Sequence, residues 1–248
     1  MQLRADGAHH RGDDEHADQL PAKRVGPHTA RSMAMVIEHR FRGPEASGNG
    51  GYSCGLFAGG VESEVTLRLP PPLETPLERD GEGRVRAGGE LVAEVRPGKV
   101  DLAAPQPVGW DEAAAAQEPD LESPFPYCFV CGHARSADGL HIHAGPVAGR
   151  DVVAAPWRVA DDTVGAEFVW AALDCPGAYA TGVLGRGTVV LGRLTARVDR
   201  VPQPGERCVA VGWSLGSDGR KHGAGTALFA DSGELLGLGR ALWIEPRG

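Results

Sequence analysis

The sequence predicts an α+β fold of two antiparallel sheets, each wrapped around a central helix, and three observations lead there. The first is a run of six apolar residues, Phe168 to Leu173, which only a sheltered interior tolerates; it ends on Asp174, an acid with no basic neighbour in sequence. The second is Asn49-Gly50-Gly51-Tyr52-Ser53-Cys54-Gly55-Leu56-Phe57-Ala58-Gly59-Gly60, too rich in small residues for an exposed helix. Glycine at that density suits a helix that packs closely, or one whose first turn a ligand approaches. The third is that strand patterns follow both helices and match each other. Val65-Thr66-Leu67-Arg68-Leu69 resembles Leu194-Thr195-Ala196-Arg197-Val198, and Gly89-Glu90-Leu91-Val92-Ala93-Glu94-Val95-Arg96 resembles Gly233-Glu234-Leu235-Leu236-Gly237-Leu238-Gly239-Arg240. The order strand, helix, antiparallel strands therefore occurs twice.

Composition narrows the function classes. With 248 residues, 42% hydrophobic and 23% charged, the chain can build a sizeable core. A net charge of -8 and the lack of any lysine- or arginine-rich run argue against a nucleic-acid partner. No apolar stretch approaches the ~20 residues that span a bilayer, so no membrane partner is expected. The N-terminus lacks the apolar core of a secretory signal, which makes a cytoplasmic location the expectation. Five cysteines, Cys54, Cys128, Cys131, Cys175 and Cys208, form no obvious disulfide framework and are read as reduced thiols.

Taken in order, residues 1–32 read as a disordered tail, crowded with Asp, His, Arg and Gly. A first half is expected over residues 33–98. It would hold a strand at Val36 to Arg42, the glycine-rich helix, a period-two strand at Glu64 to Leu69 stopped by Pro70-Pro71-Pro72, and a strand at Glu90 to Arg96. Residues 99–126 read as a linker with a short helix, Trp110 to Gln117, whose first turn carries Asp111 and Glu112. The second half, residues 127–248, would hold strands at Leu140 to Ala144 and Val152 to Trp157, and then the buried helix. Strands at Leu191 to Val198, Cys208 to Leu215, Lys221 to Phe229 and Leu235 to Ile244 follow. Pro176 and Gly177 break the helical pattern just past Asp174.

Several of these features together resemble the hotdog fold, in particular the double-hotdog acyl-CoA thioesterases of type II. They are the Trp170-to-Asp174 helix, Cys128-Phe129-Val130-Cys131-Gly132 followed by Asp138-Gly139-Leu140, and the closing hairpin Gly225 to Phe229 with Leu235-Leu236. The resemblance covers about residues 35–246. It implies hydrolysis of an acyl-CoA or acyl-carrier thioester, with a carbonyl held by amides at the start of one central helix and a carboxylate from the opposing helix. Asn49-Gly50-Gly51 looks like the His-Gly-Gly or Asn-Gly-Gly start of related single-hotdog thioesterases. In the type II enzymes the aspartate works with a Thr and a Gln from later strands; here Thr188 lies near the former position, and Arg240 and Ala241 stand near the latter.

Geometry agrees that both halves are needed. If the second helix starts near Ala166, Asp174 lies on the order of 12 Å along its axis at ~1.5 Å per residue, so one carbonyl cannot touch both ends. The expected site combines Asp174, as base or nucleophile, with the Gly50 and Gly51 amides and with Asn49, which orients water or substrate or serves as the helix cap. The matching site of opposite hand would be dead, since Phe57 holds the acid position of the first helix. Arg193 shares the wet face of its strand with Thr195 and Arg197, where it would meet pantetheine phosphates. No cofactor is expected. Nor is a metal: Cys128-x-x-Cys131 has His133, His141 and His143 nearby, yet no second Cys pair at zinc-ribbon spacing. A non-catalytic acyl-thioester-binding or oligomerisation module is the alternative, and homo-oligomers through sheet edges or faces are compatible with the pattern.

Overall fold

Asn49 and Pro176 decide where the two central helices start and break. The computed structural model describes residues 33–118, 123–136, 138–184 and 187–247; the tail expected over residues 1–32 lies outside them. Helix α1 is Gly50–Ala58; Asn49 Oδ1 accepts the Tyr52 amide at 2.9 Å, and Gly59 ends the helix in the left-handed region at φ 65°. The apolar run forms α3, Ala166–Ala172, and a second short helix, α4, covers Cys175–Ala180. Pro176 sits in the first turn of α4, where its missing N–H is tolerated. That missing donor cannot extend α3, so the axis breaks at Leu173 and Asp174.

The strands are β1 Met33–Met35, β2 Ser63–Leu67, β3 Leu77–Arg79, β4 Arg84–Ala87, β5 Glu90–Pro97, β6 Gly145–Pro146 and β7 Val153–Arg158. They continue with β8 Val190–Val198, β9 Arg207–Asp218, β10 Lys221–Ala230 and β11 Leu235–Ile244. Among the described residues they form one eleven-stranded antiparallel sheet rather than the two expected. The join is β2 against β8, with Val65 opposite Leu194 and Thr66 opposite Arg193. The facing edges of β2 and β8 thereby satisfy their backbone hydrogen-bonding groups on one another. Outward from the join the order is β2, β5, β4, β3, β1 on one side and β8, β11, β10, β9, β7, β6 on the other.

Three local expectations change. Val36 to Arg42 is not a strand: β1 lies just before it, and His39–Phe41 makes a 3-10 turn that buries Phe41. Leu140 to Ala144 is not a strand either. His141 adopts φ 51°, and the Leu140 and Ile142 amides donate to the Phe129 and Val130 carbonyls of the cysteine turn instead of a sheet partner. Conversely β3 and β4 lie between Pro72 and Glu90, where the expected first half holds no strand, because short charged strands toward a sheet edge carry almost no apolar alternation.

Helices α1 and α3 pack antiparallel and close. A methyl group on Gly51 would meet the Trp170 carbonyl oxygen at 2.6 Å, and one on Gly55 would meet Glu167 Cα and Trp170 Cβ at 2.7 Å. Gly51 thus lies beside the end of α3 and Gly55 beside its start. Four rings from four segments, Phe41, Tyr52, Phe129 and Phe168, cluster at one end of this contact with centroids 4.1 to 6.1 Å apart. Helix α2, Trp110–Ala116, covers another face of the sheet, where Ala113 packs with Val209, Val211 and Phe229. No helix among the described residues is long and apolar enough to cross a membrane. Gly55→Ala is expected to cost about 1–3 kcal/mol through overpacking, read from urea unfolding at fixed pH. A transition superimposable on the wild type would show that the helices can separate freely.

Candidate active site

Helix α1 has four leading amides, and their partners define the site. Ser53 donates to the Asn49 carbonyl at 3.0 Å and Tyr52 to the Asn49 side chain at 2.9 Å. Gly51 donates to Asp174 Oδ2 at 2.9 Å. The Gly50 amide has no acceptor among the described residues, and Gly50 lines a cavity of about 480 Å³. Asn49, Asp174, Cys128, Cys131 and Cys175 line the same cavity, while Leu67, Leu69, Val189, Leu191 and Trp243 give it apolar walls.

Asp174 stands where α4 would take an N-cap, yet its side chain caps nothing there. Its carboxylate turns instead to the other central helix, where Asn49 Nδ2 also donates to Oδ2 at 2.9 Å. One oxygen is therefore doubly anchored, while Oδ1 is buried with no hydrogen-bond partner among the described residues. Asp174 is only 2% exposed. Desolvation pushes its carboxyl up to about 7, against the opposing pull of the Gly51 amide. The negative charge of Cys128 nearby pushes in the same direction as burial.

The structure brings Asn49, Gly50, Gly51 and Asp174 together as expected, with one difference. The Gly51 amide is committed to Asp174, because the close helix crossing brings the carboxylate within bonding distance, whereas the Gly50 N–H meets no acceptor among the described residues. Asn49 combines two roles, capping α1 through Oδ1 and holding Asp174 through Nδ2.

The other expected contacts are not brought to the cavity. Thr188 is half-buried just before β8 and is not among the lining residues. Arg193 is turned across the join between β2 and β8, bonding Thr66 Oγ1 at 3.0 Å and pairing with Glu64 at 3.5 Å. Arg240 is exposed between buried Gly239 and Ala241, so strand alternation points it away from the core.

Two further features escaped the sequence. Trp243 lines the cavity with its indole N–H buried and unpartnered among the described residues, and no local pattern singles out that residue of β11. The sulfurs of Cys128, Cys131 and Cys175 lie within 4.8 Å of one another, a donor set that could hold a metal ion. The Cys-x-x-Cys pair is the visible signal; the third member, Cys175, is far along the chain and belongs to α4. Hydrogen bonding with Cys131 and then Cys175 holds the Cys128 thiol well below its usual range, while Cys131 and Cys175 are raised, first of all by their bonds to Cys128.

No protein-family model and no curated protein matches this sequence. Solved structures do. A conserved protein of unknown function from Alicyclobacillus acidocaldarius, described as having a hot dog fold, is 12% identical with a TM-score of 0.60, covering 88% of this chain and 94% of that one. A candidate thioesterase from Novosphingobium aromaticivorans is 17% identical with a TM-score of 0.56, over 87% and 96% of the two chains. The tesB protein of Mycobacterium avium subspecies paratuberculosis is 16% identical with a TM-score of 0.51, over 81% and 88%. At such identities the likeness speaks for architecture, and together with the antiparallel sheet and its central helices it shows that this chain has the hotdog fold.

Proposed function

We propose that the chain hydrolyses an acyl-CoA or acyl-carrier thioester, with Asp174 as the base and the Gly50 amide as an oxyanion donor. The observation that carries this reading is the posture of Asp174. The carboxylate ignores its own helix break, is anchored through Oδ2 on the first turn of the opposite helix, and keeps Oδ1 uncommitted at a largely apolar cavity. The fold shared with the tesB protein and with a candidate thioesterase supports it.

In this mechanism the acyl chain lies along the apolar walls, and the carbonyl oxygen takes the Gly50 N–H. Asp174 Oδ1 removes a proton from water as the water oxygen bonds the carbonyl carbon. The C–S bond then breaks, and the proton passes to the departing thiolate. The Gly51 amide and Asn49 position the base. We read the chain as two fused hotdog halves, residues 33–98 and 127–248, joined by the linker of residues 99–126. The matching outward strand order, and the β2/β8 and β5/β11 sequence likenesses, support that division. Each half supplies one part of a single site, and the second-half helix start, Gly165, has no capping side chain to match Asn49.

Asp174→Asn keeps an acceptor for the Gly51 amide but removes the base. It is expected to lower kcat/KM by about 10²–10⁴, as measured by CoA release from a panel of acyl-CoAs, with a melting temperature near wild type. Unchanged turnover would overturn the mechanism; acyl-CoA binding by calorimetry with no turnover in the wild type would favour the non-catalytic module.

Ionisation of Asp174 has opposite effects on activity and stability. A base is active once deprotonated, so kcat/KM rises with pH through a midpoint near 7. The folded carboxyl is raised from 3.8 to about 7, so its contribution to stability is complete below the unfolded value and lost as pH rises through the folded one. Urea midpoints in chelator-containing buffer should therefore fall from acid to neutral pH more steeply in the wild type than in Asp174→Asn. Parallel profiles would contradict a raised carboxyl.

A further inference from the structure

We propose that Cys128, Cys131 and Cys175 bind one zinc-class metal ion through three thiolates, leaving a fourth coordination position that faces the cavity. The sulfur spacing fits. Cys128 Sγ and Cys175 Sγ are 3.8 Å apart and all three sulfurs lie within 4.8 Å of one another. Tetrahedral zinc with Zn–S bonds of ~2.3 Å sets its sulfurs roughly 3.8 Å apart. A disulfide would need about 2.05 Å. All three cysteines are free and buried.

The turn carrying two of them is built to hold its shape. The Gly132 amide closes it on the Cys128 carbonyl at 2.8 Å, and a methyl on Gly132 would stand 2.5 Å from that oxygen and 2.7 Å from the Pro126 oxygen. Phe129 donates to the Arg42 carbonyl at 2.7 Å, while the Leu140 and Ile142 amides bond the Phe129 and Val130 carbonyls at 2.9 Å. The turn is therefore fixed to both halves of the chain without any metal.

Its electrostatics also favour a thiolate. The backbone amides of Cys131 and Val130 donate to Cys128 Sγ, and Asn49 Nδ2 approaches the same sulfur at 3.6 Å. Donors converging on a ligand sulfur spread its charge and tune a bound ion. Three neutral thiols packed together would leave those donors without a charge to stabilise.

The described residues add no fourth carboxylate or imidazole to the set, and all three cysteines line the cavity. Three protein ligands plus an open position are the arrangement in which zinc meets a water or a ligand oxygen. Soft thiolate donors in this geometry favour zinc over the hard cations. Sequence spacing alone hid the site because its third ligand arrives through the tertiary fold. The inference does not rest on the hydrolase reading, since metal content is measured without substrate.

The test uses the full chain, expressed with added zinc and purified without chelator, with metal content measured by mass spectrometry. About one zinc per chain should survive dialysis and be released by a mercurial that caps the thiols. Cys131→Ser and Cys175→Ser should each lower the content at least tenfold, whereas Cys54→Ser and Cys208→Ser, at buried thiols outside the cluster, should retain it. Because a ligand variant can fail to fold, cobalt-loaded wild type provides a second reading. Intense thiolate-to-cobalt charge-transfer bands with tetrahedral d–d absorption would support the site. Zinc-free wild-type protein, a Cys128–Cys131 disulfide in the purified chain, or equal loss in Cys54→Ser and Cys175→Ser would each overturn it. Bound zinc without thioesterase turnover would leave the metal site standing and remove only the proposed reaction.

Discussion

The chemistry of this chain depends on how closely α1 can approach α3. Gly51 and Gly55 are one turn apart on a single face of α1, and neither leaves room for even a methyl group against the residues of α3. That omission has a direct electrostatic result. With no side chain intervening, the first turn of α1 reaches the break that follows α3, and a backbone amide of one segment bonds a carboxylate of the other at 2.9 Å. Dispersion from close packing and a hydrogen bond to a buried acid thus arise from the same two glycines.

Burying Asp174 is costly, and the surroundings offset that only in part. Two donors stabilise one oxygen, but the other has none, so the proton is held more tightly than by an exposed aspartate. A purely structural carboxylate would be expected to find local amides at the break, where α4 presents its own uncapped first turn. The strained accounting here, with an unpaired carboxylate oxygen, an unpaired indole N–H on Trp243 and a free amide on Gly50 around one cavity, is the pattern of groups waiting for a polar ligand atom. The three sulfurs on the same wall add a soft donor set that hotdog architecture alone does not require.

Much of this was legible in the residues. The apolar run before Asp174 and the glycine density after Asn49 are local signals, and each produced the helix expected of it; Pro176 marked a break, but the chain breaks just before it, at Leu173 and Asp174, and Pro176 and Gly177 themselves continue as α4. The strands β2, β5 and β7 to β11 could be read because their alternation or β-branched content exceeds any turn signal inside them. What failed was decided at longer range. Leu140 to Ala144 has strand-like residues, but its amides serve the cysteine turn. Arg193 and Arg240 have the right charge for a phosphate, but strand alternation and the β2/β8 join fix where they point. The join also merged two expected sheets into one, and spacing cannot show which strand edges meet. Cys175 stood beside the acid in sequence, yet its nearness to Cys128 and Cys131 follows only from helix placement.

The most direct test is the amide of Gly51, observed by ¹H–¹⁵N NMR in the wild type and in Asp174→Asn. If this amide bonds the carboxylate of the opposite segment, its proton should lie downfield and shift through a single titration near pH 7, and the variant, whose side chain still accepts the bond but carries no ionisable group, should lose the titration. A Gly51 resonance indifferent to pH and to the substitution would mean that the two segments do not meet through this bond, and the shared site would have to be abandoned.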